Sequence, residues 1–379
     1  MRQQLLSLAF CAITLSLQGQ SFYRSSRSGA WSDTGTWETK SPSGWTPAIS
    51  LPDESTDTIR IRAGHTINLS DTRVVRRLLI EGQLSISTTA ILTPTLQTNV
   101  IEASPGSIIH NQGKINSTPS SLSFRAGARY RHLFTVAEGS IPLANWDPES
   151  IMEVAGYTTW VQATISGNWN QPFGHLEWNT PLLTADFQLN GLLKTILGDL
   201  RILETGGMVL RLSTLENLSV TIGRDLLIDG GRFSVSRSGP VNNAVTVDIG
   251  RDFLFRSPAI TGSRLCEQGV STFNIRRHFR MDAGLLYFSS GSGGTSNSGG
   301  DLRVAGDFLL NGGTLDASVA YSNRVGDLFF TGAQEQLFFN RGSIIGSFNY
   351  HLVNGSIVRI PDTHWMPGNN LEVGDLTGG

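Results

Sequence analysis

The amino-acid sequence predicts an all-β fold, a parallel β-solenoid that we expect to be a right-handed β-helix with an N-terminal cap. A polar anchor residue recurs through the second half of the chain at steps of 26, 27, 26 and 29 residues. Apolar residues alternate with polar ones on both sides of each anchor, and glycine pairs follow several of the alternating runs. Fixed periods of about 20 to 50 residues mark stacked structural repeats. The anchors are Asp199, Asp225, Asp252, His278 and Asp307.

The repeat around Asp225 shows what each unit contains. Val220 and Ile222 precede the anchor at alternate positions, and Leu226 and Ile228 follow it. Alternation of this kind indicates short strands with one buried face, separated by a polar corner. A single coil cannot bury that face, so we expect the coils to stack about 4.8 Å apart with their parallel strands paired. The sequence signatures of leucine-rich repeats and of propeller blades are absent.

The position just after the anchor carries the predicted core column. Phe253 and Phe308 hold it in two coils, and we expect both to point inward against Leu226 and Phe279 of neighbouring coils. The pattern weakens towards the C-terminus, because Gln334 stands where the spacing predicts Leu or Phe.

Length and composition limit the class of protein. The chain has 379 residues, of which 29 are basic and 31 acidic, and this balance argues against nucleic-acid binding and against a basic membrane surface. Only 16% of the residues are charged and 42 are glycine, which suits an extended β surface better than a helical enzyme. The sequence has no nucleophile elbow, no His-Glu-x-x-His and no phosphate-binding loop motif. We therefore assign no catalytic residue and no cofactor.

The chain divides into four predicted segments. The first 20 residues contain Arg2 and an apolar run over residues 5–17, which is typical of a secretory signal and too short for a membrane span. Secretion or display at the cell surface is the expected location. The four segments are residues 1–20 as the signal peptide, 21–56 as a Trp/Gly-rich cap, 57–160 as N-terminal coils and 161–379 as repeat coils.

The two cysteines fit this division. A lipoprotein anchor at Cys11 is disfavoured, because the bulky Phe10 precedes it where a small residue is wanted. Once the signal is removed, Cys266 is the one cysteine left, so no intramolecular disulfide can form. Its neighbour Leu265 favours a small core residue over a nucleophile.

Several short segments match a known pattern. They are Trp31-Ser32-Asp33 with Trp37, Pro52-Asp53, Gly64-His65-Thr66, Tyr130-Arg131-His132, Gly139-Ser140-Ile141-Pro142 with Trp146, and Phe173-Gly174-His175-Leu176 with Trp178-Asn179. These segments resemble secreted β-helix proteins of Gram-negative bacteria. The entry region is also similar to the G8 domain, and the middle resembles large surface-associated repeat proteins that often carry a sorting domain for type IX secretion. The resemblance implies secretion and a structural role, and it brings no catalytic residues with it.

The anchors allow two interpretations. Stacked carboxylates could coordinate Ca²⁺ through oxygen. A structural corner is the other interpretation, because Asp accepts hydrogen bonds from backbone N–H groups two residues further on. His278 at one rung argues against a metal column, so we predict structural corners and no metal.

Carboxylate catalysis has one candidate pair. Asp147 and Glu149 follow Trp146 and lie two residues apart. In a strand they would share one face, beside an aromatic ring on which a sugar could stack. Asp147-Pro148 is also a common turn signal, and we favour the turn. His65 after Gly64 is expected to be structural rather than a ligand.

The tryptophans are the candidates for glycan binding. Trp160, Trp169 and Trp178 recur at nine-residue steps, and exposed rings at these positions would stack on sugar faces. Burial between coils is the competing interpretation. The expected partners are extracellular glycans or the cell-surface matrix.

Two functions follow from these observations. The first is a secreted, non-catalytic structural or adhesin-like protein that presents an extended binding surface. The alternative is a carbohydrate-active module, either a glycan binder or a lyase-like or hydrolase-like β-helix. A clustered groove of charged residues with aromatic walls would favour the alternative.

Overall fold

The computed structural model describes residues 21–373 except 96–97, 99, 160–166, 214–217, 237–243, 260, 268, 289–297, 319–325, 354, 362–365 and 367–369. Within these residues there is no α-helix, and a single 3-10 turn covers Thr34–Thr36. The remaining elements are short strands that stack in parallel as a β-solenoid. The prediction of an all-β parallel solenoid is confirmed.

The strands fall into three groups along the chain. The entry strands are β1 (Phe22–Ser25), β2 (Gly29–Ala30), β3 (Trp37–Ser41) and β4 (Gly44–Pro47). The strands of the first coils are β5 (Thr58–Ile61), β6 (Thr66–Leu69), β7 (Arg73–Val75), β8 (Leu78–Ile80), β9 (Gln83–Ile86), β10 (Ile91–Pro94), β11 (Ile101–Ala103), β12 (Ile108–Asn111), β13 (Lys114–Ile115), β14 (Leu122–Phe124), β15 (Arg129–His132), β16 (Asn145–Trp146) and β17 (Ile151–Val154).

The third group forms the repeat coils. Its strands are β18 (His175–Asn179), β19 (Phe187–Gln188), β20 (Thr195–Ile196), β21 (Leu200–Glu204), β22 (Val209–Ser213), β23 (Leu218–Ile222), β24 (Leu226–Ile228), β25 (Arg232–Ser236), β26 (Ala244–Ile249), β27 (Phe253–Phe255), β28 (Ser263–Arg264), β29 (Val270–Ile275), β30 (Phe279–Met281), β31 (Leu285–Tyr287), β32 (Gly299–Val304), β33 (Phe308–Leu310), β34 (Thr314–Ala317), β35 (Gly326–Phe330), β36 (Glu335–Asn340), β37 (Ser343–Gly346), β38 (Phe348–Leu352), β39 (Ile357–Arg359) and β40 (Asn370–Val373).

One sheet runs through the whole solenoid. This sheet I has 14 strands, in the order β2-β6-β9-β12-β15-β17-β18-β21-β24-β27-β30-β33-β36-β39. In the first coils it is joined by sheet II (β16-β14-β11-β8-β5-β1-β3-β4) and sheet III (β13-β10-β7). In the repeat coils these are replaced by sheet IV (β19-β22-β25-β28-β31-β34-β37) and sheet V (β20-β23-β26-β29-β32-β35-β38-β40). The coil therefore changes its cross-section near residue 175 while sheet I continues.

The entry strands lie at one end of the stack. β1 and β2 pair in parallel with β5 and β6, whereas β3 pairs antiparallel with β1 and β4 antiparallel with β3. Trp31 and Trp37 pack edge to face with ring centroids 5.1 Å apart, and both are buried. Two indole N–H groups fix this segment, because Trp37 donates to the carbonyl of Trp31 at 2.9 Å and Trp31 to that of Pro52 at 3.3 Å.

The predicted core column is confirmed. Phe253 opposes Leu226 and Phe279 in the register of sheet I, and Phe279 opposes Phe308. The rings of Phe253 and Phe279 lie 5.4 Å apart edge to face, and those of Phe279 and Phe308 stack at 5.0 Å. All three rings are buried, as inward-facing residues of stacked coils must be.

The sequence spacing placed Gln334 in this column, whereas Phe338 occupies that position in the structure. Phe338 opposes Phe308, and their rings stack 5.2 Å apart. The step from Phe308 to Phe338 is 30 residues, longer than the 26 that would place Gln334 there. The extra residues form a turn before β36, and the buried Gln336 side chain holds it. Its Oε1 accepts from Gly332 N–H at 2.8 Å, and its Nε2 donates to the carbonyl of Val304 at 2.9 Å. Stacking constrains the strands, and the connection between them absorbs the insertion.

Candidate functional site

The anchors form one continuous ladder at a corner of the repeat coils. Each anchor side chain accepts a hydrogen bond from the backbone N–H of the anchor in the next coil. Asp199 accepts from Asp225 at 3.1 Å, Asp225 from Asp252 at 2.9 Å, Asp252 from His278 at 2.9 Å, and His278 from Asp307 at 2.9 Å. The expected acceptance from a residue two positions further on does not describe these bonds. The N–H that each anchor accepts belongs to the neighbouring coil.

The ladder has two further members that sequence reasoning missed. His175 Nδ1 accepts from the N–H of Asp199 at 3.0 Å, and Asp307 accepts from the N–H of Leu337 at 2.8 Å. His175 lies 24 residues before Asp199 and directly before the inward-facing Leu176, so the repeat pattern does contain the signal. Leu337 lacks a polar side chain, and the ladder ends there.

The charges of the ladder are partly balanced by arginines. Arg251 Nε lies 3.7 Å from Asp225 Oδ1, and Arg277 Nε lies 3.5 Å from Asp252 Oδ1. Across the described parts of the chain, no group of three or more His, Cys, Asp or Glu side chains is arranged to hold a metal ion. The geometry of the ladder is that of backbone capping between coils.

His175 is the ladder residue with the most charged surroundings. The Asp199 carboxylate is the main reason that the pKa of His175 is raised, and Glu149 adds to the rise while partial burial opposes it. Glu149 also pairs with Arg224 of a later coil, and both side chains are well exposed. Asp147 Oδ1 accepts from the N–H of Glu149 at 2.9 Å. The predicted turn at Asp147 is therefore present, and Glu149 serves an ion pair.

The tryptophans lie in the core. Trp169 and Trp178 are 1% and 0% exposed, and their rings pack 6.1 Å apart between Phe173 and Phe187. Their faces are covered by protein, so a saccharide cannot stack on them. Trp160 lies outside the described residues. These two tryptophans are core residues and do not form a glycan surface.

The other two residues singled out in the sequence are in structural positions. His65 Nδ1 lies 2.8 Å from the Ser25 hydroxyl, which ties the first coil to β1. Cys266 is buried, and its Sγ donates to the carbonyl of Gly269 at 3.1 Å.

A buried polar network joins the aromatic residues where the coil changes shape. Tyr130 accepts from the Asn111 side chain at 2.9 Å and lies 3.2 Å from His132 Nδ1, and His132 Nε2 lies 2.8 Å from the carbonyl of Glu138. Tyr157 donates to the same carbonyl at 2.6 Å. Burial lowers the pKa of His132 to about 4, and its bond to the Glu138 carbonyl only partly opposes this. His132 is thus neutral at pH 7.

The most concentrated charges on the outer face of sheet I form what we call the arginine–glutamate cluster. Its members occupy successive strands of the first and early repeat coils and are Arg129, Arg131, Glu153, Glu177 and Arg201. Sequence reasoning missed it, because the members come together only once the strand register is known.

Arginines hold both carboxylates of this cluster. Glu153 accepts from Arg129 at 2.8 Å and from Arg131 at 2.9 and 3.0 Å. Glu177 accepts from Arg129 at 2.6 Å and lies 3.6 Å from Arg201. The two glutamates are only 6% and 8% exposed. The arginine side chains are more exposed, between 27% and 38%, so the cluster presents guanidinium groups to solvent.

A second set of outward charges lies on sheet V. Asp301 and Asp327 are register partners on neighbouring strands, and His351 Nε2 lies 2.9 Å from Asp327 Oδ1. The Arg303 guanidinium lies 4.7 Å above the Phe329 ring, and that ring stacks on His351 with centroids 4.2 Å apart. Asp301, Phe329 and His351 are buried, which restricts access from solvent.

No family model, no curated protein and no solved structure matches this chain. Within the described residues, no helix is long and apolar enough to cross a membrane. The fold alone defines the class, which is a β-solenoid built from parallel stacked sheets.

Proposed function

We propose that the chain is a secreted, non-catalytic structural or adhesin-like protein whose solenoid presents an extended binding surface. The observation that carries this proposal is the arrangement of the arginine–glutamate cluster. A general acid or base needs a carboxyl oxygen within reach of a substrate. In this cluster the oxygens of Glu153 and Glu177 face arginines, and the carboxylates link neighbouring coils.

The anchor ladder supports the same proposal. Its side chains accept hydrogen bonds from the backbone N–H groups of neighbouring coils, so they stiffen a corner of the repeat coils. A rigid rod with outward guanidinium, hydroxyl and amide groups can make many weak contacts at once. Such contacts add up to useful avidity when their spacing matches that of a partner.

Secretion is the other half of the proposal. It is supported by the short apolar run over residues 5–17 behind Arg2. Expression of the full chain in a Gram-negative host, followed by N-terminal sequencing of the exported product, tests it. We expect export and cleavage near residue 20. Retention of an uncleaved chain in the cytoplasm would contradict secretion.

The binding role is tested with purified residues 21–379. We expect the protein to bind members of a glycan array or an extracellular matrix preparation and to release no product from polysaccharides. Reducing ends and unsaturated uronates are the products to assay. Steady formation of either would overturn the non-catalytic proposal.

One observation favours carbohydrate chemistry as the second candidate. Asp301 and Asp327 stand side by side on sheet V, and paired carboxyl groups are what glycosidases require. If a polysaccharide is degraded, Asp327→Asn should abolish the activity, because the variant keeps the shape but not the carboxylate. Glu335→Gln, at an exposed ion pair with Arg359, is the matched control and should leave any activity unchanged.

A further inference from the structure

A row of outward-facing residues on sheet IV contains more positive charge than its neighbours can balance. The register aligns Gln188, Arg211, Ser234, Arg264 and Tyr287 on successive coils. The first three are buried, whereas Arg264 and Tyr287 are half-buried. Arg232 lies two residues before Ser234 on β25, so it shares their face.

Arg211 uses both nearby carboxylates. Its NH1 lies 2.7 Å from Asp186 Oδ2, and its Nε lies 3.0 Å from Glu267 Oε1. The Arg211 side chain is only 6% exposed. A buried guanidinium with two carboxylate partners is a structural ion pair. The charges of Asp186 and Glu267 also act on Arg232, but neither carboxylate forms an ion pair with it.

Within the described residues, neither Arg232 nor Arg264 forms an ion pair with a carboxylate. Arg232 donates only to backbone carbonyls, from Nε to Gly262 at 3.2 Å and from NH1 to Gly207 at 3.3 Å. Arg264 Nε is buried without a hydrogen-bond partner, and the guanidinium lies 5.6 Å from the Tyr287 ring centre. Among the residues that the structure describes, no carboxylate oxygen lies within 4.0 Å of either guanidinium. An unsatisfied buried donor is costly, and an ion or ligand that completes its hydrogen bonding is one explanation for it.

The two guanidinium groups also act on each other. Burial lowers the pKa of Arg232, and the charge of Arg264 lowers it further. They come from neighbouring strands of sheet IV and are diagonal neighbours, because Arg264 opposes Ser234, two residues after Arg232. Such diagonal pairs lie about 7 to 8 Å apart at their Cα atoms, within reach of long side chains. An anion between them would relieve the repulsion and supply the missing acceptor.

We propose that Arg232 and Arg264, with Tyr287 as an aromatic wall, bind a sulfate or carboxylate group carried by an extracellular polysaccharide. This inference rests on the proposed binding function and names its ligand class. The planar guanidinium fork matches the oxygens of both groups. The tyrosine ring beside it offers a face to a sugar ring. A nucleic acid fits less well, because it presents a long run of phosphates and this site offers only two arginines.

The test is calorimetric titration of residues 21–379 with three oligosaccharides of matched length. The first is a heparin octasaccharide, the second an octamer of galacturonate and the third a neutral cello-oligosaccharide. We expect binding of at least one anionic probe and none of the neutral one. The two anionic probes distinguish sulfate from carboxylate.

Variants locate the site. Arg232→Gln and Arg264→Gln should each weaken binding by about tenfold or more, since a charge-assisted bidentate bond is lost. Arg264→Lys keeps the charge without the fork and should fall between them and the native protein. Arg359→Gln removes an exposed arginine elsewhere on the solenoid and should bind as the native protein does.

Each outcome is decisive. Equal binding by Arg232→Gln and the native protein overturns the site even if Arg264→Gln does not fold. If neither anionic probe binds, the site is overturned while binding to other array members leaves the proposed function standing. Release of product from the probes would instead overturn the non-catalytic function.

Discussion

The first coils and the repeat coils turn the same corner into sheet I by different means. At three corners of the first coils a glycine with positive φ stands two residues before the strand of sheet I. These are Gly64, Gly106 and Gly127, where φ is 81°, 79° and 74°. In the repeat coils Gly223 and Gly250 stand three residues before the strand, and their φ values are not positive. Their role is close approach, because a Cβ on Gly250 would overlap the carbonyl oxygen of Gly223.

This difference concerns what bends the chain at each corner. A positive-φ glycine bends the chain locally, whatever the next coil does. An anchor side chain works only when the next coil is stacked in register, because it accepts that coil's N–H. Corners in the repeat coils are therefore coupled to the next coil through anchor side chains. The corners at Gly106 and Gly127 are linked to the next coil by backbone hydrogen bonds instead, from Gly106 N–H to Gly127 and from Gly127 N–H to Glu149. Perturbations should spread differently in the two halves.

The largest expected effect is loss of a core ring in the repeat coils. Phe253→Ala removes a fully buried ring and leaves a cavity, which should cost about 3 to 5 kcal/mol. Because coils contact mainly their neighbours, hydrogen exchange should rise around residues 220–285 and change little over residues 57–100.

The matched control is Leu254→Ala, which truncates the outward neighbour and should have a much smaller effect. Uniform loss of protection along the chain would show that the two halves are not separable in this way.

A pair of glycine variants compares the corners directly. Gly250→Ala introduces a steric overlap with backbone and should destabilise by roughly 1 to 3 kcal/mol, with added exchange in the coil before it. Gly106→Ala has open space around the new methyl group, so its cost is the positive φ alone, about 1 to 2 kcal/mol. We expect its effect to stay within its own coil. If Gly106→Ala spreads further than Gly250→Ala, the proposed contrast is reversed.

The junction between the halves should respond to acid. The folded-state pKa of His132 is about 4, below the ordinary 6.5, so the unfolded chain binds a proton that the folded chain excludes. Stability contributed by this group is complete above pH 6.5 and falls by about 1.4 kcal/mol per pH unit between there and pH 4.

Urea denaturation from pH 7 to pH 4.5 measures this slope. His132→Gln cannot be protonated, and the native-minus-variant difference isolates the histidine from the carboxylates. A difference that does not change with pH would show that His132 takes up its proton equally well in both states.

The smallest expected effect is at one rung of the ladder. Asp225→Ala removes the acceptor for the N–H of Asp252 and should cost about 1 kcal/mol. Asp225→Asn keeps an oxygen at that place and should be nearly neutral. Ca²⁺ should leave the melting temperature of all three proteins unchanged. Stabilisation by Ca²⁺ that disappears in Asp225→Ala would favour a cation site over a structural corner.

The amino-acid sequence by itself determined the fold class, the coil period in the second half and the inward direction of residues such as Phe253 and Phe308. These features follow from local alternation and from a repeated spacing, which a linear pattern contains in full. Only the tertiary structure decided what depends on register between coils. The pairing of Phe308 with Phe338, the capping bond from Asp199 to His175 and the contact of Glu153 with Arg129 all join residues 24 to 30 positions apart. It also decided that Trp178 is buried, since an odd spacing does not fix a face and stacking alone selects which side of a strand meets the core.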